Sequence, residues 1–178
     1  MVVEAFNRLN LPLLVVGDGP ERLRLEELAG ANVTLLGRQS QAQVETLMAR
    51  CRAFVYAGLE DFGIAPVEAM AAGAPVIGLG RGGLLDTVRC AAAGCLQPTG
   101  VLFPDQSVES VVQAVEWFQQ QQRLNSFSSD SIRLWAERFR SEAFAVRFEA
   151  SMRRSWGNHQ ARCAVAASDP AEVPGLLS

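Results

Sequence analysis

The stretch Glu60-Asp-Phe-Gly-Ile-Ala-Pro-Val-Glu-Ala-Met-Ala-Ala-Gly73 decides which fold we expect for this chain. It follows a short apolar segment, residues 53–56, that has the composition of a buried strand. Pro66 suits the first position of a helix, and Gly73 stands where a helix commonly ends. The stretch therefore predicts a strand, a tight turn and a helix over about residues 66–72, which is the repeating unit of a parallel α/β sheet.

The same alternation of strands and helices extends on both sides of this unit. Predicted strands cover residues 11–17, 33–36, 53–56, 74–78 and 100–103, and helices separate them. The continuous apolar run at residues 11–16 is typical of a strand buried on both faces. We expect an α/β fold with a Rossmann-like, doubly wound parallel sheet, which binds ligands at the carboxyl ends of its strands. Such a sheet normally opens with a strand, so the helix predicted at residues 1–9 indicates that the first strand is missing.

The region after residue 107 has helical patterns throughout. Helices are predicted from residue 107, over residues 129–139, and around the fourfold spacing of Phe144, Phe148 and Met152. After Trp156 the sequence changes to small and polar residues with two prolines. We therefore expect one domain over residues 1–156, lacking its first strand and including C-terminal helices, and a poorly ordered tail over residues 157–178.

Composition excludes several classes of function. The chain has 178 residues, a net charge of −3 and a pI of about 5.2, and it has no basic stripe, so nucleic acid is not an expected partner. No apolar run approaches the roughly 20 residues of a membrane-spanning helix, and no secretory leader is evident. With four irregularly spaced cysteines, these features predict a cytoplasmic protein with reduced thiols. All 16 basic residues are arginine.

The turn before the predicted helix has the properties of an anion site. If Pro66 is the first helical residue, Ala65 is the N-cap, and alanine offers no side-chain oxygen to the free N–H groups. These donors and the positive end of the helix dipole are then available to a ligand, and Gly63 lets the backbone approach it closely. A diphosphate is the natural occupant of such a site.

Two carboxylates frame this turn. Glu60 lies in the loop at the carboxyl end of the strand, and Glu68 is expected at the third helical position. A carboxylate can accept hydrogen bonds from both hydroxyls of a ribose, so Glu68 is a candidate ribose ligand. Glu68 could equally complement the helix dipole or form half of a capping box, and Glu60 could be a solvated loop charge. The residues alone leave these alternatives open.

The complete stretch resembles the signature of the family 4 retaining glycosyltransferases. The resemblance rests on Glu60 and Glu68, with seven residues between them, inside Glu-Asp-Phe-Gly-Ile-x-Pro-Val-Glu-Ala-Met-Ala-x-Gly-x-Pro-Val-Ile. Further matches lie at residues 15–21, 33–38, 80–88, 99–103 and 136–139, so the resemblance covers about residues 2–156. That family has the GT-B fold, in which two Rossmann-like domains enclose a cleft. This chain resembles the C-terminal, donor-binding domain of the family. The residues of the motif resemble those of the mannosyltransferase branch used in polysaccharide and O-antigen assembly.

The resemblance implies a role for each part of the site. Glu60 is the catalytic residue beside the transferred sugar, and Glu68 binds the ribose. Other residues implied to contact the donor come from the turn (Asp61, Phe62, Gly63, Ile64), from the loops near the base (Gly17, Gly19, Leu36, Arg38) and from the glycine-rich loop (Gly82, Gly83). For Gly82 and Gly83, an ordinary flexible turn is an equally open alternative.

The implied reaction transfers a hexose, with retention, from a nucleotide diphosphate sugar, for which GDP-mannose is a candidate. The resemblance implies no metal and no other cofactor, because helix ends and basic side chains stabilise the leaving diphosphate. The chain departs from the family pattern in one respect. Members normally carry an arginine and a lysine just after the first strand, and this chain has no lysine. Arg38, Arg81 and Arg89 are the candidates for the missing charge.

A complete enzyme also needs an acceptor-binding N-terminal domain, through which any peripheral membrane association would occur. We therefore expect a fragment of a longer enzyme, a chain that works with a partner, or a degraded gene product, with weak or no activity alone. A non-catalytic nucleotide-sugar-binding module is the alternative. A sugar-nucleotide epimerase of similar fold is disfavoured, because the only histidine, His159, falls in the predicted tail.

Overall fold

The structure is a computed structural model that describes residues 1–91 and 95–168. The chain divides into two compact units, Met1–Glu137 and Arg138–Ser178. The first unit contains all the strands of the described region, and the second is helical. The first unit therefore ends at Glu137, earlier than the domain boundary at residue 156 that the sequence predicts.

The first unit alternates strands and helices in the predicted order. The strands are β1 (Leu13–Val16), β2 (Val33–Gly37), β3 (Phe54–Tyr56), β4 (Val76–Leu79) and β5 (Gly100–Phe103). The helices are α1 (Val2–Leu9), α2 (Arg22–Leu28), α3 (Gln41–Arg50), α4 (Ile64–Ala71), α5 (Leu84–Thr87), α6 (Val108–Arg123) and α7 (Ser129–Ala136). Every strand predicted from apolar runs between turn residues is present, with bounds that differ by at most two residues.

All strand pairings in the described residues are parallel, and they form two sheets. β1 pairs with β2, and β3, β4 and β5 form the second sheet in that order. In the second sheet, Ile77 of the central strand lies opposite Val55 on one side and Val101 on the other. The parallel, Rossmann-like α/β fold predicted from the sequence is thus confirmed.

A single apolar cluster lies against both sheets. It combines residues of α1 and α6 with residues of the strands, and its buried members include Phe6, Val33, Ile77, Phe103, Val111 and Phe118. Leu13 and Val15 of β1 and Val55 of β3 pack against the same cluster. Because burial of such side chains is the main stabilising contribution to folding, this cluster keeps the two sheets in one compact unit.

One face of β1 is exposed, and the prediction of a strand buried on both faces is wrong. Leu14 is 54% exposed and Val16 is 41% exposed, while the alternate residues Leu13 and Val15 pack on the core. Successive side chains of a strand point to opposite faces of the sheet, so one covered face accounts for this alternation. An apolar run by itself does not reveal that only one face is covered.

The second unit contains a long helix, α8 (Ser141–Ser168), preceded by a 3-10 turn at Glu137–Phe139. The sequence predicts a poorly ordered tail from residue 157, but residues 157–168 are helical. Gln160, Ala161 and Arg162 are good helix formers, and averaging the composition over the whole C-terminal segment hides them. The remaining part of the predicted tail, residues 169–178, lies outside the described residues. In the described part of the chain, no helix has the length and apolar character needed to cross a membrane.

Candidate functional site

Helix α4 follows the turn after β3, and it begins earlier than the sequence predicts. Its N-cap is Gly63, in the left-handed conformation with φ of 82°, and its first residue is Ile64. The prediction that Ala65 is the N-cap is therefore wrong. Glycine adopts positive φ without steric cost, which allows the chain to turn directly into the helix. Pro66 is tolerated at the third helical position because N–H groups of the first turn have no intrahelical acceptor.

The start of α4 leaves backbone donors available, as predicted. No side chain caps the helix, and the first bond of the turn runs from the Val67 N–H to the Gly63 carbonyl at 3.3 Å. The amides without an intrahelical acceptor are those of Gly63, Ile64 and Ala65, since Pro66 has no N–H. Together with the positive end of the helix dipole, these amides can bind an anion.

The other end of α4 is as predicted. Gly73 has a φ of 92°, its N–H donates to Met70, and the N–H of Ala74 donates to Ala69, both at 2.9 Å. This pair of bonds is the Schellman arrangement that glycine favours at helix ends.

Glu68 lies at the fifth position of α4 and not at the third. A capping box needs the acidic residue at the third position, so that alternative does not apply to Glu68. Its side chain is exposed, and it makes no ion pair with any described residue. Glu68 is therefore a carboxylate that is free to bind a ligand, and its role with the ribose stays a prediction.

Glu60 is exposed in the turn, but its carboxylate has a partner. The hydroxyl of Tyr56, the last residue of β3, donates a hydrogen bond to Oε1 of Glu60. Burial, the hydrogen bond and the negative charge of Glu60 together raise the pKa of Tyr56 to about 12. Sequence reasoning did not identify Tyr56. The only signal available was its place, four residues before Glu60 at the end of a predicted strand.

The glycine-rich loop after β4 packs directly on the backbone of the Glu60 turn. The N–H of Gly83 donates to the carbonyl of Glu60 at 2.7 Å. A Cβ at Gly83 would lie 2.5 Å from the carbonyl oxygen of Asp61, and a Cβ at Gly82 would collide with the carbonyl oxygen of Glu60. Gly82 also has a φ of 61°. These two positions need glycine because a side chain would collide with the backbone of the turn. Flexibility alone would not require glycine so strictly. Their place beside a sugar stays a prediction.

Exposed apolar side chains surround this turn. Leu59, Phe62 and Ile64 are 66%, 45% and 68% exposed, next to the polar backbone donors of the helix start. Singly exposed apolar residues are ordinary, but a group around a set of free donors resembles the lining of a ligand site.

The residues predicted near the base form a second group in the β1–β2 sheet. The N–H of Gly17 donates to the carbonyl of Gly37 at 2.9 Å, so the loops after the two strands meet. A Cβ at Gly17 or Gly19 would contact nothing within 4 Å, which leaves that side open. Leu36 is half-buried beside α3, and Arg38 is exposed. Gly17, Gly19 and Arg38 thus lie in the loops after β1 and β2, and Leu36 lies in β2 itself.

The three arginines proposed to supply charge differ in availability. Arg89 lies over the ring of Trp135, 4.5 Å from its centroid, and donates to the Gln97 carbonyl, so it serves the packing of the fold. Arg81 forms an ion pair with Asp105 at 2.8 Å, but both side chains are largely exposed and such pairs contribute only about 0–1 kcal/mol. Arg38 makes no ion pair with any described residue and follows β2 directly. Arg38 is therefore the most available cation of the three.

The described residues contain no group of three or more histidine, cysteine, aspartate or glutamate side chains that could hold a metal ion. His159 is exposed on α8 in the second unit, where its Nε2 lies 3.6 Å from Sγ of Cys163.

The sequence matches a known protein family over most of its length. Residues 1–132 match the model of the family described as glycosyl transferases group 1, and the chain belongs to that family. A curated relative, the N-acetyl-alpha-D-glucosaminyl L-malate synthase of Bacillus anthracis, is 27% identical over 157 residues. The match covers 83% of this chain and 40% of the relative.

Two solved structures share the fold at low sequence identity. Sucrose-phosphate synthase from Thermosynechococcus elongatus has a TM-score of 0.61 and 22% identity, covering 87% of this chain and 49% of that one. Anabaena HepE in complex with UDP and glucose has a TM-score of 0.63 and 20% identity, covering 86% of this chain and 43% of that one. The chain thus spans less than half the length of each of these relatives.

Proposed function

We propose that this chain is the donor-binding half of a family 4 retaining glycosyltransferase, which transfers a hexose from a nucleotide diphosphate sugar in polysaccharide or glycolipid assembly. The observation that carries the proposal is the uncapped start of α4, where the amides of Gly63, Ile64 and Ala65 are available beside Glu60. Membership of the glycosyl transferase group 1 family supports it.

The arrangement suits the departure of a diphosphate. Negative charge builds on the diphosphate as the sugar leaves, and the donors at the start of α4 would stabilise that charge without a metal. In this proposal Glu60 binds hydroxyls of the transferred sugar, Glu68 binds the ribose, and Arg38 adds positive charge. The loops after β1 and β2, with Gly17, Gly19 and Leu36, would hold the base. Asp61 and Phe62 would contact the sugar and diphosphate through their backbone, and Gly82 and Gly83 would flank the sugar.

The division of the strands into two sheets supports the proposal that the chain works with a further polypeptide segment. The N–H groups of Leu13 and Gly17 donate to the β2 side at 2.9 Å, so those of Leu14 and Val16 point away from β2. Likewise, Phe54 donates to the β4 side at 2.8 Å, so the N–H of Val55 points away from β4.

One additional parallel strand between β1 and β3 would satisfy these free groups. Backbone groups of a buried sheet need partners, and α1 followed by β1 has the order of a strand–helix–strand unit whose first strand lies beside β1. The missing first strand, with the acceptor-binding domain before it, is therefore proposed to come from a longer polypeptide that contains this chain.

Calorimetry of the chain tests the binding function. GDP, GDP-mannose, UDP and UDP-glucose are titrated separately. The mannosyltransferase-like motif favours GDP-mannose, whereas the structure of Anabaena HepE was solved with UDP and glucose. We expect one of the two nucleotide series to bind. The absence of binding by all four would contradict the proposed function.

A non-catalytic nucleotide-sugar-binding module is the second candidate. The observation that favours it is the shortage of available positive charge, since Arg89 packs on Trp135 and Arg81 pairs with Asp105. Sugar release and transfer are measured on the chain and on a longer polypeptide that includes the preceding segment. Transfer by the longer form supports the enzyme, and binding without sugar release or transfer in both forms supports the module.

A further inference from the structure

Tyr56 has no role in the function proposed so far, although it touches the residue at the centre of the site. Its hydroxyl donates to Oε1 of Glu60, which is otherwise exposed in the turn. The backbone of Glu60 is also held, because its carbonyl accepts from the Gly83 N–H at 2.7 Å. Glu60 is therefore fixed at its carbonyl by the glycine-rich loop and at its carboxylate by β3.

The ring of Tyr56 is itself fixed by its neighbours. It stacks on Phe54 with ring centroids 6.3 Å apart and an interplanar angle of 14°. A Cβ at Gly58 would lie 3.1 Å from the ring and from the hydroxyl oxygen, so the ring lies directly over that glycine. Tyr56 also packs against the buried cluster that contains Met70 and Val76. A ring held on several sides keeps its hydroxyl in one place.

We propose that Tyr56 is a positioning residue for Glu60, holding one carboxylate oxygen so that the other is free to accept hydrogen bonds from the donor sugar. This inference rests on the proposed function. An exposed glutamate samples several rotamers, and ordering it on binding costs conformational entropy. A side chain that is already ordered by Tyr56 avoids that cost and binds the sugar more tightly.

The pairing can be tested without any ligand, because Tyr56 is the only tyrosine in the chain. Its ionisation is followed by tyrosinate absorbance at about pH 11, where a group with a pKa near 12 is still mostly protonated. Glu60→Gln removes the negative charge, so we expect a larger ionised fraction than in the parent protein. Burial still raises the pKa of Tyr56 in this variant, which keeps the ionised fraction below that of an exposed tyrosine.

Asp61→Asn is the matched control, because it removes a neighbouring carboxylate that makes no hydrogen bond to Tyr56. Circular dichroism on the same samples shows that each variant is folded at that pH. Equal ionised fractions in Glu60→Gln and the parent would overturn the pairing and with it the positioning role.

The positioning role is tested by the affinity for nucleotide and for nucleotide sugar. For Tyr56→Phe we expect unchanged affinity for the nucleoside diphosphate and an affinity for the nucleotide sugar that is about three- to tenfold weaker. A general structural defect would lower the affinity for both ligands by the same factor. Phe54→Leu is the control for packing, because it alters the ring stack and keeps the Tyr56 hydroxyl.

Two results would overturn the positioning role while the proposed function stands. The first is that Tyr56→Phe binds the nucleotide sugar with unchanged affinity. The second is that Tyr56→Phe loses affinity for the nucleotide and for the nucleotide sugar by the same factor. If the parent protein binds neither the nucleotide nor the nucleotide sugar, the proposed function and the positioning role both fail. The absorbance titration still decides whether Tyr56 and Glu60 are paired.

Discussion

Glu60 and Glu68 differ in how the structure holds them, although both are exposed. Glu60 accepts a hydrogen bond from Tyr56 and lies in a turn fixed by Gly83, while Glu68 lies on α4 without a partner in the described residues. A ligand that binds Glu60 meets an ordered carboxylate, and a ligand that binds Glu68 must order its side chain. This difference suits a reacting centre at Glu60 and a more tolerant hydrogen-bonding contact at Glu68.

Replacing each glutamate by alanine separates these roles. We expect Glu60→Ala to abolish transfer by the longer polypeptide but to leave the affinity for the nucleoside diphosphate largely unchanged. Glu68→Ala should weaken nucleotide affinity by about tenfold or more, since a hydrogen bond to a charged group contributes about 1.5–3 kcal/mol. Calorimetry and a transfer assay measure the two effects. Urea unfolding should show that Glu68→Ala changes stability by less than about 0.5 kcal/mol, whereas Glu60→Ala also loses the hydrogen bond from Tyr56 and should cost about 0.5–1.5 kcal/mol.

If both alanine variants bind nucleotide and transfer sugar like the parent protein, neither glutamate has its assigned role. Glu45→Ala is a suitable control, because this residue is also exposed and belongs to α3, not to the turn or to α4.

Among the elements, the loop after β4 and the turn after β3 act as one structure. Gly83 lies so close to Asp61 and Phe62 that a Cβ would come within 2.5 Å of their backbone atoms. The start of α4 depends on the same neighbourhood, because a Cβ at Gly63 would lie 3.0 Å from Leu84 in the helix after that loop. The positions of the helix donors and of Glu60 are therefore coupled through backbone contacts.

Gly83→Ala tests this coupling. A Cβ in contact with backbone atoms cannot be relieved by moving a flexible side chain, so we expect a loss of about 1–3 kcal/mol in the free energy of unfolding. Because the turn must shift, the affinity for the donor should fall as well. Gly19→Ala is the control for stability, since a Cβ there contacts nothing within 4 Å. Equal unfolding free energies for the two variants, measured in urea, would show that the loop is not tightly packed.

In the first unit, one of the apolar clusters packs against two sheets that are not joined by backbone hydrogen bonds in the described residues. The core keeps the sheets together, but one edge of β1 and one edge of β3 have no partner strand in the described residues. Such edges have free N–H and C=O groups that can pair with an added strand.

Hydrogen exchange measured by NMR tests the open edges. In the chain alone, we expect the amides of Leu14, Val16 and Val55 to exchange much faster than those of Leu13 and Phe54, which donate within the sheets. In the longer polypeptide, the first three amides should become protected. Equal protection of both sets in the chain alone would contradict an open edge between β1 and β3.

Much of the architecture could be predicted from the sequence because it depends on local patterns. Apolar runs between turn residues located the strands, and Gly73 marked the end of α4. The start of α4 was predicted two residues too late, because Pro66 suits the first position as well as the third. The family resemblance predicts which residues bind the donor, and their roles stay predictions, whereas the hydrogen bond from Tyr56 to Glu60 has no counterpart in any local pattern.

Local patterns in the sequence suffice for the alternation of strands and helices, for the parallel α/β class and for the turn that Glu60 and Glu68 frame, because periodicity and turn chemistry act over a few neighbouring residues. Tertiary contacts were needed to establish that Gly63 is the N-cap of α4, that Gly83 holds the backbone of Glu60, and that the strands divide into two sheets. These features depend on contacts between segments that are distant in the chain. Packing and backbone hydrogen bonding select such contacts only once the whole unit has folded.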